Sequence, residues 1–228
     1  MVRYIGPKIK IVRRLGVLPG LTRKAPKNRL KTPGEHGKML FAKTRRSSLS
    51  DDYKNRLVEK QKLRFNYGVT EKQLSSYYVR AKKVGGATGT IILKLLESRL
   101  DCVIFRLGFA PTIPAARQLV NHRHIQVNNN CVNIPSFQCE KGDIFSPSKK
   151  RISNQLIWAN LETQQKKRKL IKRRMKRINL LRSRFHTLLP FHLRVSKKRL
   201  AGKFVNAAKR KDFLVRVNEL RVIEYYSR

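Results

Sequence analysis

Residues 99–144 read RLDCVIFRLGFAPTIPAARQLVNHRHIQVNNNCVNIPSFQCEKGDI, and this stretch decides the fold that we expect. Its first part carries apolar residues at helical spacing and ends at Gly108, a residue type that commonly follows a helix. Thr112 is a favourable N-cap for a second helix, and Pro114 lies in the first turn, where its missing N–H is not needed. Residues 125–134 alternate as two short strands around three consecutive asparagines, which tolerate the positive φ of a tight turn. The stretch therefore predicts two helices followed by a β-hairpin.

Cations and amides gather at the corner where the second helix gives way to the first strand. The candidate contact residues at this corner are Arg117, Asn121, His122, Arg123 and His124. Arginine offers a planar fork of donors to phosphate oxygens, and asparagine and histidine add neutral hydrogen bonds to phosphate, sugar or base. A metal site built on the two histidines would need a third ligand, and none lies within reach in the sequence. We expect the corner to lie on a phosphate backbone while the hairpin fixes its angle.

The composition indicates a polyanionic partner. The chain has 54 Lys plus Arg against 13 Asp plus Glu, which gives a formal net charge of +41. A free protein would repel itself at that charge, and a polyphosphate is the usual partner that compensates it. The hydrophobic fraction of 40% is too high for a purely disordered basic tail, so one or two modest domains with basic extensions fit the 228 residues.

Membrane, disulfide-rich and zinc-binding classes are disfavoured by what the sequence lacks. No apolar run approaches membrane-spanning length, and no signal-peptide core is present. The cysteines at 102, 131 and 139 are odd in number and form no Cys-x-x-Cys pair, so we expect neither a disulfide framework nor a zinc site. We predict no cofactor and no metal.

The chain closely resembles the small-subunit ribosomal protein four family, in its chloroplast form. The matching segments are Arg3-Tyr4, Gly6-Pro7, residues 13–16, 18–21, 59–65, Tyr67-Gly68, 99–101, 106–108, 115–125, 127–128, 134–136, 217–220 and 224–228. They cover most of the chain in the family's order, which is far more specific than any one motif. Some bacterial members carry a cysteine cluster near the N-terminus, whereas this chain has no cysteine before Cys102, so the resemblance implies no metal either.

The resemblance implies an α+β fold, in which a helical first domain carries an inserted helix-helix-hairpin RNA-binding domain and follows an extended basic N-terminal arm. We expect the arm at 1–49, the helical domain at 50–98 and completed by 189–228, the inserted RNA-binding domain at 99–160, and a basic, lineage-specific segment at 161–188. Glycines and prolines recur in the arm among many cations and a single acid, Glu35, so we expect no regular element there.

Three helices are predicted in the first domain. The first runs from Ser50 to about Asn66, and its inner side is marked by Tyr53, Leu57, Gln61 and Phe65. Its outward cations are Lys60, Lys62 and Arg64. Thr70 and Gln73 form a capping-box pattern at the start of the second helix, and Thr88 opens the third.

The chain after the central domain is strongly basic. Trp158 is expected to pack against the domain that ends near residue 160. From Thr163 to Lys211 there is no acid, and an apolar helical stripe is formed by Ile171, Met175, Ile178 and Phe185. Such a helix can bind a membrane surface or resemble a nuclear-import patch, but beside the resemblance we take it as an additional RNA contact or a flexible insertion, which the sequence does not rank. From Phe213 an alternating run predicts a strand that closes the fold.

The resemblance also implies a non-enzymatic structural constituent of the small ribosomal subunit. It would be a primary binder of small-subunit rRNA that nucleates assembly of the 5′ domain and body, and with small-subunit protein five it would contribute to translational accuracy. The expected partners are this rRNA, the neighbouring proteins three and five, and messenger RNA near the channel through which it enters, with no membrane. Because the match begins at residue three, no transit peptide is expected, and the chloroplast stroma is the expected location.

The RNA-binding residues that we predict lie in the arm, on the first two helices and in the central domain. They are Arg3, Lys8, Lys10, Arg13, Arg14, Lys60, Lys62, Arg64, Lys82, Lys83, Arg106, Arg117, Asn121, His122, Arg123 and His124. Their charges would neutralise phosphates, which supply most of the affinity for folded RNA.

Two other classes of function stay open on the sequence alone. One is an RNA-modifying enzyme, because pseudouridine synthases place their catalytic aspartate in a context similar to Arg99-Leu100-Asp101, and some carry the same RNA-binding unit. No stretch of this chain supplies a separate catalytic domain, so we expect Asp101 to form an ion pair or a cap. The other class is a basic protein that condenses nucleic acid or binds membranes.

Overall fold

The computed structural model describes Tyr4 and residues 6–24, 32–34, 48–177, 190–196 and 200–227; at residues 48–51, 164–165 and 167–177 it describes the backbone alone. Two compact units are formed, one by Met1–Leu95 with Val215–Arg228 and the other by Leu96–Leu214. The predicted combination of helices with a small antiparallel sheet is confirmed.

The described residues form helices and short strands with the following bounds. The helices are α1 (Lys8–Leu15), α2 (Ser48–Tyr67), α3 (Glu71–Val84), α4 (Thr88–Glu97), α5 (Leu100–Leu107), α6 (Ile113–Asn121), α7 (Arg151–Arg177) and α8 (Glu219–Tyr226), with a 3₁₀ turn at Arg210–Asp212. The strands are β1 (Ile125–Val127), β2 (Asn130–Cys131), β3 (Ile144–Pro147), β4 (Leu193–Ser196) and β5 (Ala201–Phe204).

The helix α1 corrects the expectation that the N-terminal arm has no regular element. Pro7 occupies the N-cap, where its missing N–H removes no helical hydrogen bond, and Gly16 ends the helix with a φ of 89°. Ile11 and Leu15, one turn apart, pack with Leu18 in an apolar cluster. Burial of this apolar stripe outweighs the glycine and proline signals on either side of it. Most of the remaining arm lies outside the described residues.

The helix α2 buries a different face from the one predicted. Leu63 and Tyr67 are buried, whereas Tyr53 is 54% exposed. The buried face also carries Glu59 and Lys60, and the periodicity of apolar residues cannot reveal the burial of charged side chains. The buried carboxylate of Glu59 accepts a hydrogen bond from the backbone N–H of Asn218 at 3.0 Å, which compensates part of the cost of its burial. Polar pairing within the unit therefore selects this face.

The next helices of this unit start as the sequence predicts, and α8 belongs to the same unit. The backbone N–H of Gln73 donates to the Thr70 side chain, and the Thr70 N–H donates to the Gln73 side chain, so the capping box is confirmed. In α8, Glu219 accepts a hydrogen bond from the Thr90 hydroxyl at 2.8 Å. The hydrogen bond between Thr90 and Glu219 joins α8 to α4 within the helical unit.

The sheet of Leu96–Leu214 has five antiparallel strands in the order β2-β1-β3-β5-β4. In β1, Gln126 pairs with Cys131 on one side and with Ser146 on the other. Asn128 and Asn129 turn the hairpin with φ of 50° and 68°, as predicted for this asparagine run. The first strand therefore lies inside the sheet, between β2 and β3.

The helices α5 and α6 cover the core of this unit and end as predicted. Gly108 adopts the left-handed conformation after α5, and the Thr112 hydroxyl accepts from the N–H of Ala115 at the start of α6. The buried cluster that they share with the sheet comprises Leu100, Val103, Ile104, Leu107, Phe109, Ala110, Ala116, Val120, Ile125, Val127, Cys139, Phe145, Ile157, Leu161, Leu193 and Phe204.

The β4–β5 hairpin extends the sheet beyond the expected RNA-binding domain of residues 99–160. Ile144 of β3 pairs with Lys203 of β5, and residues 193–214 belong to Leu96–Leu214 rather than to the helical unit. Without β5, one edge of β3 would leave its backbone N–H and C=O groups unpaired. The domain boundaries therefore differ from the expected ones because strand pairing, not sequence proximity, decides them.

The strand predicted from Phe213 is wrong. Residues 213–218 form no regular element after the 3₁₀ turn. Phe213, Leu214 and Val215 are all buried, so the run does not alternate between core and solvent. The N–H of Leu214 donates to the Glu97 carboxylate at 2.8 Å instead of to a neighbouring strand.

The helix α7 begins inside the expected RNA-binding domain of residues 99–160 and runs on into the segment expected after it. Ile157 and Leu161, one turn apart, are buried on its inner face. Trp158 lies off that face, is 49% exposed, and donates from Nε1 to Glu162 at 2.9 Å, so its expected packing against the domain is wrong. Two members of the predicted apolar stripe lie outside the described residues, Ile178 and Phe185.

Candidate nucleic-acid interface

The turn between α6 and β1 lies beside the start of α7. Ile125 pairs with Pro147 at this end of the sheet, and the N–H of Ser148 donates to the His124 carbonyl at 2.8 Å. This pairing brings residues 149–151 to residues 121–124, and we call the two segments together the basic corner. Its exposed members are Asn121, His122, Arg123, Lys149, Lys150 and Arg151.

The three cations at residues 149–151 were not among the predicted contact residues. Their sequence signal is the run Lys-Lys-Arg immediately before and at the start of α7. Only the register of β1 with β3 shows that this run lies beside residues 121–124. A local reading of the sequence therefore finds half of the basic corner.

Two buried serine hydroxyls orient the ring of His124. Its Nδ1 lies 2.9 Å from Oγ of Ser153, which lies 2.8 Å from Oγ of Ser148. Partial burial lowers the pKa of His124, and the neighbouring His122 and Lys150 lower it further. The ring is therefore neutral near pH 7 and available as a neutral hydrogen-bonding group.

Arg123 is displayed by a strained turn of the backbone. Its φ is 59°, in the left-handed region that arginine rarely adopts, and its N–H donates to the carbonyl of Val120 at 2.9 Å. The side chain is exposed. The turn thus directs a guanidinium outward at the end of α6, as the corner hypothesis expects.

Arg117, predicted as one of the strongest RNA contacts, braces the fold. Its Nε donates to Asp101 at 2.6 Å, and its side chain is 14% exposed. Asp101, 1% exposed, also binds Arg99 at 3.0 and 3.1 Å and accepts from the N–H of Cys102 at 2.8 Å. The structural ion pair predicted for Asp101 is confirmed, and it joins α5 to α6.

Arg106, a second predicted contact residue, is turned into the core. It is 7% exposed, and its Nε lies 3.4 Å from the buried carboxylate of Glu97. Glu97 also lies 3.4 Å from the Cys102 sulfur. Burial, and then the charge of Glu97, raises the pKa of the Cys102 thiol well above its ordinary value, so this thiol stays protonated. Burial removes Arg106 from the surface that could meet RNA.

The three predicted contact residues of α2 fall into two groups. Lys60, expected to point outward, is 3% exposed, lies 3.0 Å from Glu71 and has its Nζ 4.1 Å from the centre of the Tyr225 ring. Lys62 and Arg64 are half-buried, and Lys62 pairs with Glu59 at 2.6 Å. The outward expectation is therefore wrong for Lys60.

The remaining predicted contact residues lie at the ends of helices. Those that are exposed are Lys8, Lys10, Arg14, Lys82 and Lys83, and Arg13 is half-buried. Lys82 and Lys83 lie in the last turn of α3, where the helix dipole also favours cations. Arg3 lies outside the described residues.

Most carboxylates of the chain are committed to internal contacts. Those that bind a residue of their own unit are Glu59, Glu71, Glu97, Asp101, Asp143, Asp212, Glu219 and Glu224. Among the described side chains of Leu96–Leu214, the exposed acids are Glu140 and Glu162, whereas the exposed cations are Arg123, Lys141, Lys149, Lys150, Arg151, Lys166, Arg194, Lys203, Lys209, Arg210 and Lys211. The outer surface of this unit is therefore strongly positive.

Two features of the described residues bear on the alternative classes of site. Across the part of the chain that the structure describes, no group of three or more His, Cys, Asp or Glu residues could hold a metal ion. None of the described helices combines the length and the apolar character that crossing a bilayer requires.

The chain matches known families in two consecutive segments. Residues 3–97 match the Ribosomal protein S4/S9 N-terminal domain, and residues 98–145 match the S4 domain. The two matches define the class as ribosomal proteins that carry an S4 domain, which agrees with the α5–α6–hairpin unit at the basic corner.

Curated relatives extend the match over the whole chain. The chain is 47% identical to "Small ribosomal subunit protein uS4c" of Cyanophora paradoxa over 100% of both chains. It is 48% identical to "Small ribosomal subunit protein uS4" of Cyanothece sp. over 100% of this chain and 99% of the relative, and 46% identical to the uS4c protein of Trieres chinensis over 100% of both. The chain belongs to the uS4 family of small ribosomal subunit proteins, which are structural components and not enzymes.

Proposed function

We propose that this chain is a primary binder of small-subunit rRNA that nucleates assembly of the 5′ domain and body in a plastid ribosome. The observation that carries the proposal is that most described carboxylates bind a residue of their own unit, because this leaves an excess of exposed positive charge on the folded chain. A protein of net charge +41 in which most described acids already bind groups of their own unit needs a polyanion, and the family supplies folded rRNA as that partner.

The basic corner would act through phosphates and shape rather than through base sequence. RNA helices hide most base edges in a deep, narrow major groove, so phosphates and 2′-hydroxyls at a helical junction supply the contacts. Arg123 and residues 149–151 offer positive donors from two segments held together by the sheet. The neutral His124 ring, fixed by Ser153, adds a short-range hydrogen bond beside them.

The primary test is binding to a folded 5′-domain junction of small-subunit rRNA against a linear strand of the same length. Neutralising about ten phosphates predicts a log–log salt slope of about −7 to −9 on the junction. We expect tighter binding to the junction at every salt concentration. Equal affinity for the linear strand, or a slope near zero, would refute recognition of folded RNA.

The contribution of the basic corner is tested by charge reversal at Arg123. Arg123→Glu removes a charge-assisted hydrogen bond of roughly 1.5–3 kcal/mol, so junction affinity should fall at least about tenfold. Lys141→Glu is the matched control, because Lys141 is also exposed but precedes β3, at the opposite end of the β1–β3 pair. Equal losses from the two variants would show that charge density alone governs binding.

The proposal includes partners and a compartment that the family resemblance supports. The neighbours would be small-subunit proteins three and five and messenger RNA where it enters the subunit, and contact with protein five would contribute to translational accuracy. Relatives named uS4c support the plastid. Cross-linking in purified plastid small subunits tests both points, and recovery of the chain only outside those subunits would contradict the assignment.

A further inference from the structure

A groove opens between α1 and α2 within the helical unit. Its volume is about 480 Å³, inside the range of about 300–1,000 Å³ that is typical of small-ligand sites. Among the described residues its lining contains no acid and four cations, which are Lys10, Arg14, Lys54 and Arg64. The charge of the groove therefore suits an anionic occupant.

Two aromatic rings form a right-angled corner in this groove. The rings of Tyr4 and Phe65 have centroids 5.6 Å apart and planes inclined at 81°. Gly6 makes room for the Tyr4 ring, since a Cβ at that position would lie 2.5 Å from it. The guanidinium of Arg64 lies 5.3 Å from the centre of the Phe65 ring. A flat group can stack on one ring while its edge meets the other.

The groove also explains the misplaced stripe of α2. Leu57, Gln61 and Phe65, which the sequence marks as an inner face, line the groove, and Phe65 also packs against the apolar cluster of Ile11, Leu15 and Leu18. Gln61 places an amide on this wall, where its oxygen accepts from Arg64 at 3.4 Å. An amide among apolar and aromatic side chains can hydrogen-bond the polar edge of a nucleobase.

We propose that this groove receives one unpaired nucleotide of the bound RNA, with its base on the Tyr4–Phe65 corner and its flanking phosphates among the four cations. The inference rests on the proposed function and names a contact within it. An acidic protein segment would also satisfy the charge, but the perpendicular aromatic pair favours a planar base. Sequence-tolerant stacking on aromatic side chains is how proteins hold bases that RNA junctions extrude.

The first test removes the rings and keeps apolar side chains, by Tyr4→Leu with Phe65→Leu. Stacking of one base predicts a loss of junction affinity of roughly 5- to 150-fold. Tyr53→Leu is the matched control, an exposed tyrosine on the same helix outside the groove lining. Base-specific chemical modification of the RNA should find an unpaired base that the wild-type chain and the control protect and the double variant leaves reactive.

A second variant guards against a folding defect in the first. Lys10→Ala with Lys54→Ala changes only exposed side chains, and Lys72→Ala with Arg80→Ala is the matched pair on α3. The groove pair should lower the salt slope by about one to two and weaken protection of the same base, whereas the α3 pair should leave that protection unchanged.

The outcomes separate the groove from the proposed function. If wild-type chain prefers the folded junction but neither groove variant alters affinity or protection, the groove assignment is wrong and the function stands. Cross-linking from the groove to a protein in assembled subunits, with no RNA cross-link, also overturns the assignment in favour of a protein segment. If wild-type chain shows no preference for the junction, the proposed function fails, and the groove assignment fails with it.

Discussion

The two units place their ion pairs at different depths. In Leu96–Leu214, Asp101 and Glu97 are each 1% exposed and hold arginines beneath the surface. In the helical unit, the carboxylates of Glu71 and Glu224 keep 34% and 51% side-chain exposure while they hold Lys60 and Arg56, although Lys60 itself is buried and the Lys62–Glu59 pair has intermediate exposure, at 24% and 11%. A broken pair is costly in the interior, because the remaining charge stays buried, and costs little beside water.

This difference separates two kinds of cation in one very basic chain. A buried, paired cation such as Arg117 braces the fold, whereas an exposed cation such as Arg123 would, under the proposed function, belong to the surface that meets rRNA. Arg117 and Arg123 lie six positions apart and fall on opposite sides of this division. Loss of RNA binding after mutation of a bracing cation would therefore report unfolding and not a lost contact.

The largest expected effect is loss of the Arg117 brace. Arg117→Ala removes one of the two arginines that bind the buried Asp101, which keeps Arg99 and the N–H of Cys102, so we expect the free energy of unfolding to fall by about 1.5–3 kcal/mol. Arg123→Ala, at an exposed position in the same unit, should change it by less than about 0.5 kcal/mol. Urea unfolding followed by circular dichroism measures both. Similar midpoints for the two variants would erase the proposed division between bracing and displayed cations.

A smaller effect is expected where α8 meets α4 in the helical unit. A Cβ at Gly89 would lie 2.6 Å from Cβ of Glu219, so Gly89→Ala forces the two helices apart at a cost of about 1–3 kcal/mol. Alanine's better helix propensity returns about 1 kcal/mol of this. We expect a net loss in thermal unfolding, against little change for Lys94→Ala at an exposed position on α4. A stabilised Gly89→Ala variant would show that the helices adjust freely.

The next prediction concerns His192, which lies in the unit formed by Leu96–Leu214. Its ring is 2% exposed, neither ring nitrogen has a hydrogen-bond partner among the described residues, and Nδ1 lies 3.8 Å from Asp212. Burial lowers its pKa below the ordinary value of about 6.5, and Arg106 adds to this, whereas Glu97 and Asp212 oppose it. The folded chain therefore excludes a proton that the unfolded chain binds at mildly acidic pH.

The sign follows from this difference in bound protons. The contribution of His192 to stability is present above about pH 6.5 and declines as the pH falls towards the folded pKa, by at most about 1.4 kcal/mol per pH unit. Denaturant titrations of wild type and His192→Gln between pH 7.5 and 5.5 measure it, and the variant should show the shallower slope. Parallel slopes would assign the pH dependence to other groups.

How much of the structure could be predicted from the sequence depends on whether the partners of a residue are close to it or distant from it along the chain. Caps and turns set by neighbouring residues, such as Thr70 with Gln73 and the turn at Asn128, are predicted correctly because their partners lie within three or four positions. The inner face of α2 is predicted wrongly because Glu59 and Lys60 are buried by partners far along the chain. For the same reason the sequence predicts Arg117 as an RNA contact, because its partner Asp101 lies in the preceding helix. The sequence also misses residues 149–151, because only the register of β1 with β3 brings them to the basic corner.

The smallest effect belongs to the shallow pair of the helical unit. Arg56 Nε lies 2.7 Å from Glu224, but the carboxylate side chain is 51% exposed, so water screens the pair and replaces either partner at little cost. Arg56→Ala and Glu224→Ala should each lower the free energy of unfolding by less than about 1 kcal/mol, and the coupling in a double-mutant cycle should be about 0.2–1 kcal/mol, decreasing with salt. A salt-independent coupling above about 2 kcal/mol would mean that depth does not decide which pairs brace the fold. The Arg117–Asp101 cycle, measured beside it, should show the larger coupling, because its partner acid is 1% exposed.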